Sequence, residues 1–337
     1  MANRKFVNGF IRYVENVHCQ FNEKIDKVAA IEKAVKHILN RIFKKVGELD
    51  PAFEVSKIVE GGSFYEGTKI GAPDEFDFMV VLKTLSNAGF IKVENGCVPW
   101  YKKINVSPNS DIYNNYKAYT GDCLREMLSV EQMATRFWTY VEATCRDETF
   151  SEEIMPFGTI TLKEWNLNKL LFSFTEHSSN MSIPYDPKNN SEALVLLKNS
   201  FMIGVDIMLA IDYPNSLEIV KSDGFPTNCS DRVTRVGCHL VAKMCPGPIC
   251  STCWHVTLAC AELSLMREMD EKHKLLYKVL KYLLIREIHK MYKSKCANLS
   301  SYMLKNAFLF HCYEQSGCTR DLSTCVFAIL EYLACNL

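Results

Sequence analysis

Residues 75–82, Glu-Phe-Asp-Phe-Met-Val-Val-Leu, constrain this chain more than any other stretch. The apolar run from Phe76 to Leu82, broken only by Asp77, reads as a buried strand. Successive strand side chains point to opposite faces, so Glu75 and Asp77 share one. Two carboxylates therefore enter a strand that is otherwise hydrocarbon. Adjacent anions repel, and their burial is costly unless a cation compensates. Hard carboxylate oxygens suit Mg2+, or Mn2+ in its place, and Mg2+ keeps waters and substrate phosphates in its shell. Just upstream, Gly61-Gly62-Ser63 offers backbone N–H groups and one hydroxyl without bulk, which suits a polyphosphate.

Further along, residues 193–198 and 201–212 read as two more strands. In the second, Val205, Ile207, Leu209 and Ile211 take one face; Asp206, Met208, Ala210 and Asp212 take the other. An acid inside so apolar a strand needs a cationic partner or a metal. Two-metal phosphoryl chemistry uses a third carboxylate. Asp206 is the first candidate, Asp212 its rival, and a plain salt bridge to a lysine or arginine the alternative.

Residues 5–47 read as one long helix. Val7, Val14, Phe21, Val28, Val35 and Ile42 recur every seventh residue, with Phe10, Val17, Ile31 and Ile38 beside them. At about 1.5 Å per residue it would reach some 60 Å, enough to brace two lobes; a dimeric coiled coil is the alternative. Lys33, Lys36, Arg41, Lys44 and Lys45 follow one another with no acid between Lys33 and Gly47. They form either a solvated face that complements the helix C-terminus or a stripe that binds nucleic-acid phosphates.

The rest of the chain bounds the class. Its 337 residues suffice for one large domain or two lobes, and 48% are hydrophobic, as in a globular core. Formal net charge is zero, so any nucleic-acid binding must come from a local patch. The charged start, Met1 to Phe6, is unlike a secretory signal, and no apolar run is long enough to span a membrane. Fifteen irregularly scattered cysteines then point to reduced thiols in the cytoplasm. Asn95-Gly96 marks a hairpin between residues 91–93 and 98–101, and residues 121–145 return to helical spacing. Residues 148–190 show no clear period, with exposed loop expected at 178–190. From about Ser222 helical spacing dominates. The expectation is an α/β (α+β) bilobal architecture: residues 1–221 hold the long helix and a mixed-sheet core, and 222–337 form a helical lobe.

A Gly-Ser turn, a spacer and a strand-borne acidic pair resemble a nucleotidyltransferase site of the polymerase-β type. The segments Gly62 to Ile70 and Ala72 to Met79 resemble, more narrowly, the signature of the Mab-21 family, above all its cyclic GMP-AMP synthase-like receptors. Asp206, in Gly204-Val205-Asp206-Ile207, matches the family's third acid. Leu280-Lys281-Tyr282-Leu283-Leu284 resembles a helix whose lysine approaches the triphosphate. Ser300-Ser301-Tyr302 resembles a segment whose serine contacts phosphate and whose tyrosine stacks on a base. The resemblance implies that Glu75, Asp77 and Asp206 are catalytic metal ligands, and that Gly62, Ser63, Lys281, Ser301 and Tyr302 bind nucleotide. It implies ATP and GTP as substrates, a cyclic dinucleotide as product, and double-stranded RNA, less so DNA, as activator docking on the lysine stripe. Catalytically silent family members, and enzymes that extend RNA ends, are the alternatives.

Two departures stand out. Trp254-His255 replaces the family's Trp-Arg, and histidine is mostly neutral at pH 7. The family's DNA sensor carries a zinc thumb between that motif and the lysine helix; the matching interval, residues 263–277, contains no cysteine. No structural zinc is expected, and Cys245, Cys250 and Cys253, with His239 and His255 nearby, read as reduced loop thiols.

Overall fold

The computed structural model describes residues 2–19, 24–87, 89–107, 111–119, 126–147, 149, 152–166, 168–176, 200–213, 227–246, 250–288, 300–313 and 318–336. The acidic strand, β2 (Glu75–Leu82), lies inside a ten-stranded sheet. It pairs antiparallel with β1 (Val55–Gly61) and parallel with β10 (Ser200–Tyr213), the only parallel pair in that sheet among the described residues. Six more strands extend the sheet past β10 on one path or the other: β9 (Lys169–Glu176), β8 (Gly158–Asn166) and β7 (Glu152–Met155) on one side, and β11 (Cys238–Val241), β12 (Cys253–Thr257) and β4 (Tyr101–Val106) on the other. β3 (Ile91–Asn95) closes the second path as the predicted hairpin partner of β4. The predicted strand at 201–212 is β10; that at 193–198 and the loop at 178–190 lie outside the described residues.

The two faces of β2 have different neighbours. Phe76 and Phe78 face a large core with α2 (Ile25–Leu49) and α4 (Val130–Cys145), where Phe43 and Phe137 stack 5.9 Å apart. Met79 and Val81 face the other way, against Ala210, Val241 and the Ala259–Cys260 end of a helix, Ala259–Glu268. Glu75 and Asp77 share that second face, beyond the end of its apolar cover.

Three expectations change. The long helix is two, α1 (Ala2–His18) and α2, with Lys24 extended at φ −63 and ψ 142. An uninterrupted rod of about 60 Å is therefore ruled out, because α1 serves a different core. Its Ile11 and Val14 are buried with Leu276, Leu280, Leu304, Phe308 and Ile329 from C-terminal helices. Second, strands do not stop near Ser222. β11 and β12 join the main sheet, and the two cores meet between Leu263, in the first, and Leu265, in the second. Third, residues 152–176 form a three-stranded meander, β7 to β9, whose signal was the alternation of buried Leu170, Phe172 and Phe174. Of the helix expected at 121–145, only α4 forms among the described residues, over Val130–Cys145, while Glu126–Leu128 is a short strand paired with Lys117–Tyr119; the Ser129 hydroxyl caps α4, accepting from the Gln132 N–H at 3.2 Å.

Asp212 holds one seam of the sheet. It faces His239 across β10 and β11, with an ion pair of 3.0 Å, and takes Lys57 of β1 at 2.9 Å. That accounts for Asp212 as a structural acid. Burial alone would lower the His239 pKa; the Asp212 carboxylate, and then the Cys260 thiol 3.7 Å away, outweigh it and hold it at about 9. A folded pKa above the unfolded value of about 6.5 makes this contribution complete below that pH and removes it as pH rises through 9. The melting temperature should therefore fall by roughly 5 °C between about pH 6.5 and 9.5. In Asp212→Asn, differential scanning fluorimetry should show most of that dependence gone; an unchanged slope would refute the pair's role.

Candidate active site

The parallel register pairs Asp206 with Asp77 directly, and Gly204 with Glu75. Cross-strand partners share a face, so the three carboxylates predicted from separate strands converge on one patch. Asp77 is the most enclosed. Burial first, then the charges of Glu75 and Asp206, push its pKa up to about 6. Lysines already answer this concentration of charge. Lys69 bridges Asp74 and Glu75, each at 2.9 Å, and Lys169 meets Asp206 at 3.3 Å. The salt-bridge alternative for Asp206 is thus realised, alongside its place in the acidic cluster.

Gly62 fits against this cluster. It adopts φ +71, and a Cβ there would stand 1.8 Å from Asp77 Oδ2. Only glycine meets both conditions. The short helix Gly62–Tyr65 turns Ser63 toward a cavity of about 390 Å³, lined by Gly62, Ser63, Glu75, Asp77, Lys281, Ser301 and Tyr302 among others. Residues expected to bind nucleotide from both halves of the chain thus line one cavity. Lys281 ends the helix Glu271–Lys281, while Ser301 and Tyr302 begin the helix Ser301–Tyr313. Burial, and then the charge of Lys69, hold the Lys281 pKa below its usual value, so this ammonium gains from an anionic partner. The donor set suits a hard divalent cation: three carboxylates, one already resisting ionisation, beside a backbone that leaves no room for a side chain.

A second cavity, of about 560 Å³, opens beyond Tyr302 and shares it. Trp100, Tyr101, His255 and Phe310 contribute rings to its largely apolar wall. Tyr302 is 55% exposed and offers its ring between the two spaces. Burial, and then Lys243, lower the pKa of His255, so this position is uncharged at neutral pH. The Leu263–Tyr277 interval contains a tight helix-to-helix junction, with Asp270 capping the second helix through His273 N–H at 3.1 Å.

The basic stripe on α2 is not uniformly available. Lys36 is held by Glu32 at 2.6 Å and Glu60 at 2.5 Å; Arg41 donates to the Thr149 carbonyl and lies 3.9 Å from Glu153; Lys45 meets Glu48 at 3.3 Å. The expectation of five cations without compensating acids is corrected, because those acids arrive from other elements or the next helical turn. Lys33 and Lys44 are exposed, on a row with His37 and Asn40 that follows helical spacing.

Several site residues escaped sequence reasoning. Lys69 and Lys169 carry no pattern of their own. Lys305 lies half-buried between Glu66, 3.1 Å away, and Glu262, 2.6 Å away, in the wall of the first cavity. Its position one helical turn beyond Ser301 and Tyr302 was the available signal. The cysteines also regroup: Cys250 and Cys253 meet Cys97 of the β3–β4 hairpin, with Sγ–Sγ distances from Cys97 of 3.4 and 3.5 Å.

Comparison with known proteins places this geometry in a family context. A model of the Mab-21 protein nucleotidyltransferase domain matches residues 64–266. A Cyclic GMP-AMP synthase-like receptor from Tribolium castaneum is 26% identical over 195 residues, covering 50% of this chain and 47% of that protein. The chain thus spans about half the length of that relative. No helix among the described residues is long and apolar enough to cross a membrane.

The Gly62 contact is testable without any assay of activity. Gly62→Ala should cost about 1–3 kcal/mol in denaturant unfolding, through strained backbone and a displaced Asp77. Gly61→Ala, whose Cβ would meet nothing closer than 3.7 Å, should cost clearly less. Equal losses would show that the approach to Asp77 is not what selects glycine.

Proposed function

The chain belongs to the Mab-21 family, by a nucleotidyltransferase-domain match over more than half its length, and from that premise we propose that it joins ATP and GTP into a cyclic dinucleotide when double-stranded RNA engages it. The observation that carries this reading is the convergence of Glu75, Asp77 and Asp206 beside a cavity that also takes Ser63, Lys281 and Ser301. Glu75, Asp77 and Asp206 would hold Mg2+ or Mn2+, which when bound neutralises the triphosphate and makes the attacking hydroxyl more acidic. Ser63 and the Gly62 backbone receive the triphosphate from the sheet side. Lys281 and Ser301 close on it from the helical side. A ribose hydroxyl oxygen then forms a bond to the α-phosphorus while its proton passes to water or to a carboxylate of the cluster, the bond from the α-phosphorus to the α–β bridging oxygen breaks, and pyrophosphate leaves with the negative charge that Lys281 is placed to meet. Tyr302 offers a stacking face for a base. The uncharged His255 predicts a weaker hold on the second nucleotide than an arginine would give. The name of the Tribolium relative supports a receptor role.

Purified protein, labelled ATP and GTP, and Mg2+ or Mn2+, with and without duplex RNA or DNA, test the reading by product chromatography. Asp77→Asn and Asp206→Ala should each lower product by at least about 100-fold while the circular dichroism spectrum and melting curve stay near the parent's, because removing one of three clustered anions relieves repulsion. Full product from either variant would overturn the assignment. A folded parent that forms no product under any of these conditions would favour a non-catalytic role for this member.

RNA is favoured over DNA because residues 263–277, the interval matching the DNA sensor's zinc thumb, contain no cysteine. The docking face we propose is the exposed row Lys33, His37, Asn40 and Lys44, since phosphate contacts recognise duplex shape and not sequence. Lys33→Glu with Lys44→Glu should abolish duplex-stimulated synthesis and spare basal Mn2+-supported synthesis. These two positions avoid breaking the Lys36–Glu60 and Arg41–Glu153 pairs. A response to duplex like the parent's would remove α2 as the docking face.

A further inference from the structure

We propose that His273, His311, Cys318 and Cys325 form a structural zinc site that fastens together the C-terminal helices behind the nucleotide cavity. One ligand atom from each of the four residues lies within 4.8 Å of the others. A tetrahedral zinc ion, with Zn–S near 2.3 Å and Zn–N near 2.0 Å, spaces its ligand atoms about 3.3–3.8 Å apart. The two sulfurs, Cys318 and Cys325, are 3.5 Å apart, and Cys325 Sγ is 3.8 Å from His273 Nε2. The set is two imidazoles and two thiols, a combination zinc favours over harder cations.

The surroundings suit a closed structural site. Asp270 Oδ2 lies 2.6 Å from His273 Nδ1, which fixes the ring so that Nε2 faces the sulfurs. A carboxylate behind a ligating histidine is the usual outer partner of such a metal. Cys325 is fully buried and His273 is 5% exposed, while the Phe308 ring borders both histidines at centroid distances of 6.4 and 6.5 Å. Ion binding releases both thiol protons, and two thiolates then balance the dication, leaving no net charge in an apolar lobe.

The ligands come from separate segments: the helix Glu271–Lys281, the helix Ser301–Tyr313, the segment before the last helix, and that helix, Leu322–Asn336. The first two carry Lys281 at one end and Ser301 and Tyr302 at the other's start. His273 and His311 sit at the opposite ends, about 12–15 Å along each helix axis. The ion would tie both helices at the ends remote from the nucleotide, setting the spacing of the residues that close on it. Only His273 of the four ligands falls within residues 263–277, the interval matching the thumb, and no cysteine ligand does; the site replaces the expectation that no structural zinc is needed.

The cluster of Cys97, Cys250 and Cys253 is the internal competitor, since it brings three ligand atoms together. Full-length protein purified without chelator should contain about one zinc per chain by elemental analysis. Zinc should persist in the triple variant Cys97→Ser, Cys250→Ser, Cys253→Ser, and fall to near zero in Cys318→Ser with Cys325→Ser. Should that double variant fail to fold, His311→Gln is the milder probe and should lower zinc retention at least about 10-fold. Cobalt reconstitution of the unsubstituted chain should give tetrahedral visible bands and thiolate charge transfer near the ultraviolet. A parent that takes up neither zinc nor cobalt overturns the proposal. So does zinc lost only in the Cys97 variant, or a Cys318–Cys325 disulfide in protein kept under reducing conditions. None of these readings depends on nucleotide joining, so they stand apart from the enzymatic assignment.

Discussion

The parallel pairing of β2 with β10 is the contact on which the rest of the site depends. Every other pair of the main sheet, among the described residues, is antiparallel. Parallel neighbours cannot be joined by a tight turn, so a long stretch of chain separates β2 from β10. That separation lets two acidic motifs, far apart in sequence, arrive side by side with Asp77 opposite Asp206. A slip of one residue would turn one of the carboxylates into the Phe76–Phe78 core. Register is protected on that side by aromatic packing: Phe64, Tyr65, Phe76 and Phe78 lie within ring contact of one another.

Clustered carboxylates have a cost, and the fold distributes it. Lys69 and Lys169 each hold an acid of the cluster, from different elements, while Asp77 has no lysine of its own among the ion pairs described. Burial, and then the charges of Glu75 and Asp206, push the Asp77 pKa up to about 6. Under the proposed function, a divalent cation held here would take over the role of two lysines and free them for an anionic substrate. Lys69, which lines the cavity and lowers the pKa of Lys281, would then couple metal and triphosphate binding. Loading the cavity would stabilise a set of charges that are in mutual conflict without it.

Much of this was legible in the chain because it was written in short periods. Glu75-x-Asp77 and the alternation around Asp206 are local patterns, and a strand translates them into faces without tertiary information. The hairpin at Asn95-Gly96 and the cap at Ser129 are equally local. What was hidden depends on partners chosen by the fold. The seven-residue apolar recurrence carries on through Phe21, so periodicity alone gave no reason to break α1 from α2 at Lys24. The two helices bury the same kind of stripe against different cores. The lysines of α2 look alike in sequence; Glu60 and Glu153, from β1 and β7, decide which of them are neutralised. The four histidine and cysteine ligands likewise have no spacing that a motif would capture.

The sheet and the C-terminal helices meet the cavity in different ways, and this difference bears on the activation proposed for it. The sheet side is rigid: Gly62, Glu75, Asp77 and Asp206 sit on paired strands whose register admits little adjustment. The helical side is presented by helix termini, Lys281 at an end and Ser301 at a start, and their positions follow from how the C-terminal helices pack. That packing includes α1, through Ile11 and Val14, and the stack of His18 on Tyr282 at 4.1 Å, next to Lys281. α1 in turn leads into α2, which lies on the sheet core. If a duplex docks on α2 as proposed, it would reach the helical side of the cavity through α1, whose Ile11 and Val14 pack with the C-terminal helices and whose His18 stacks on Tyr282, next to Lys281. C-terminal helices fastened at their far ends by the proposed zinc would transmit such a shift as a rotation of whole helices and not as local fraying.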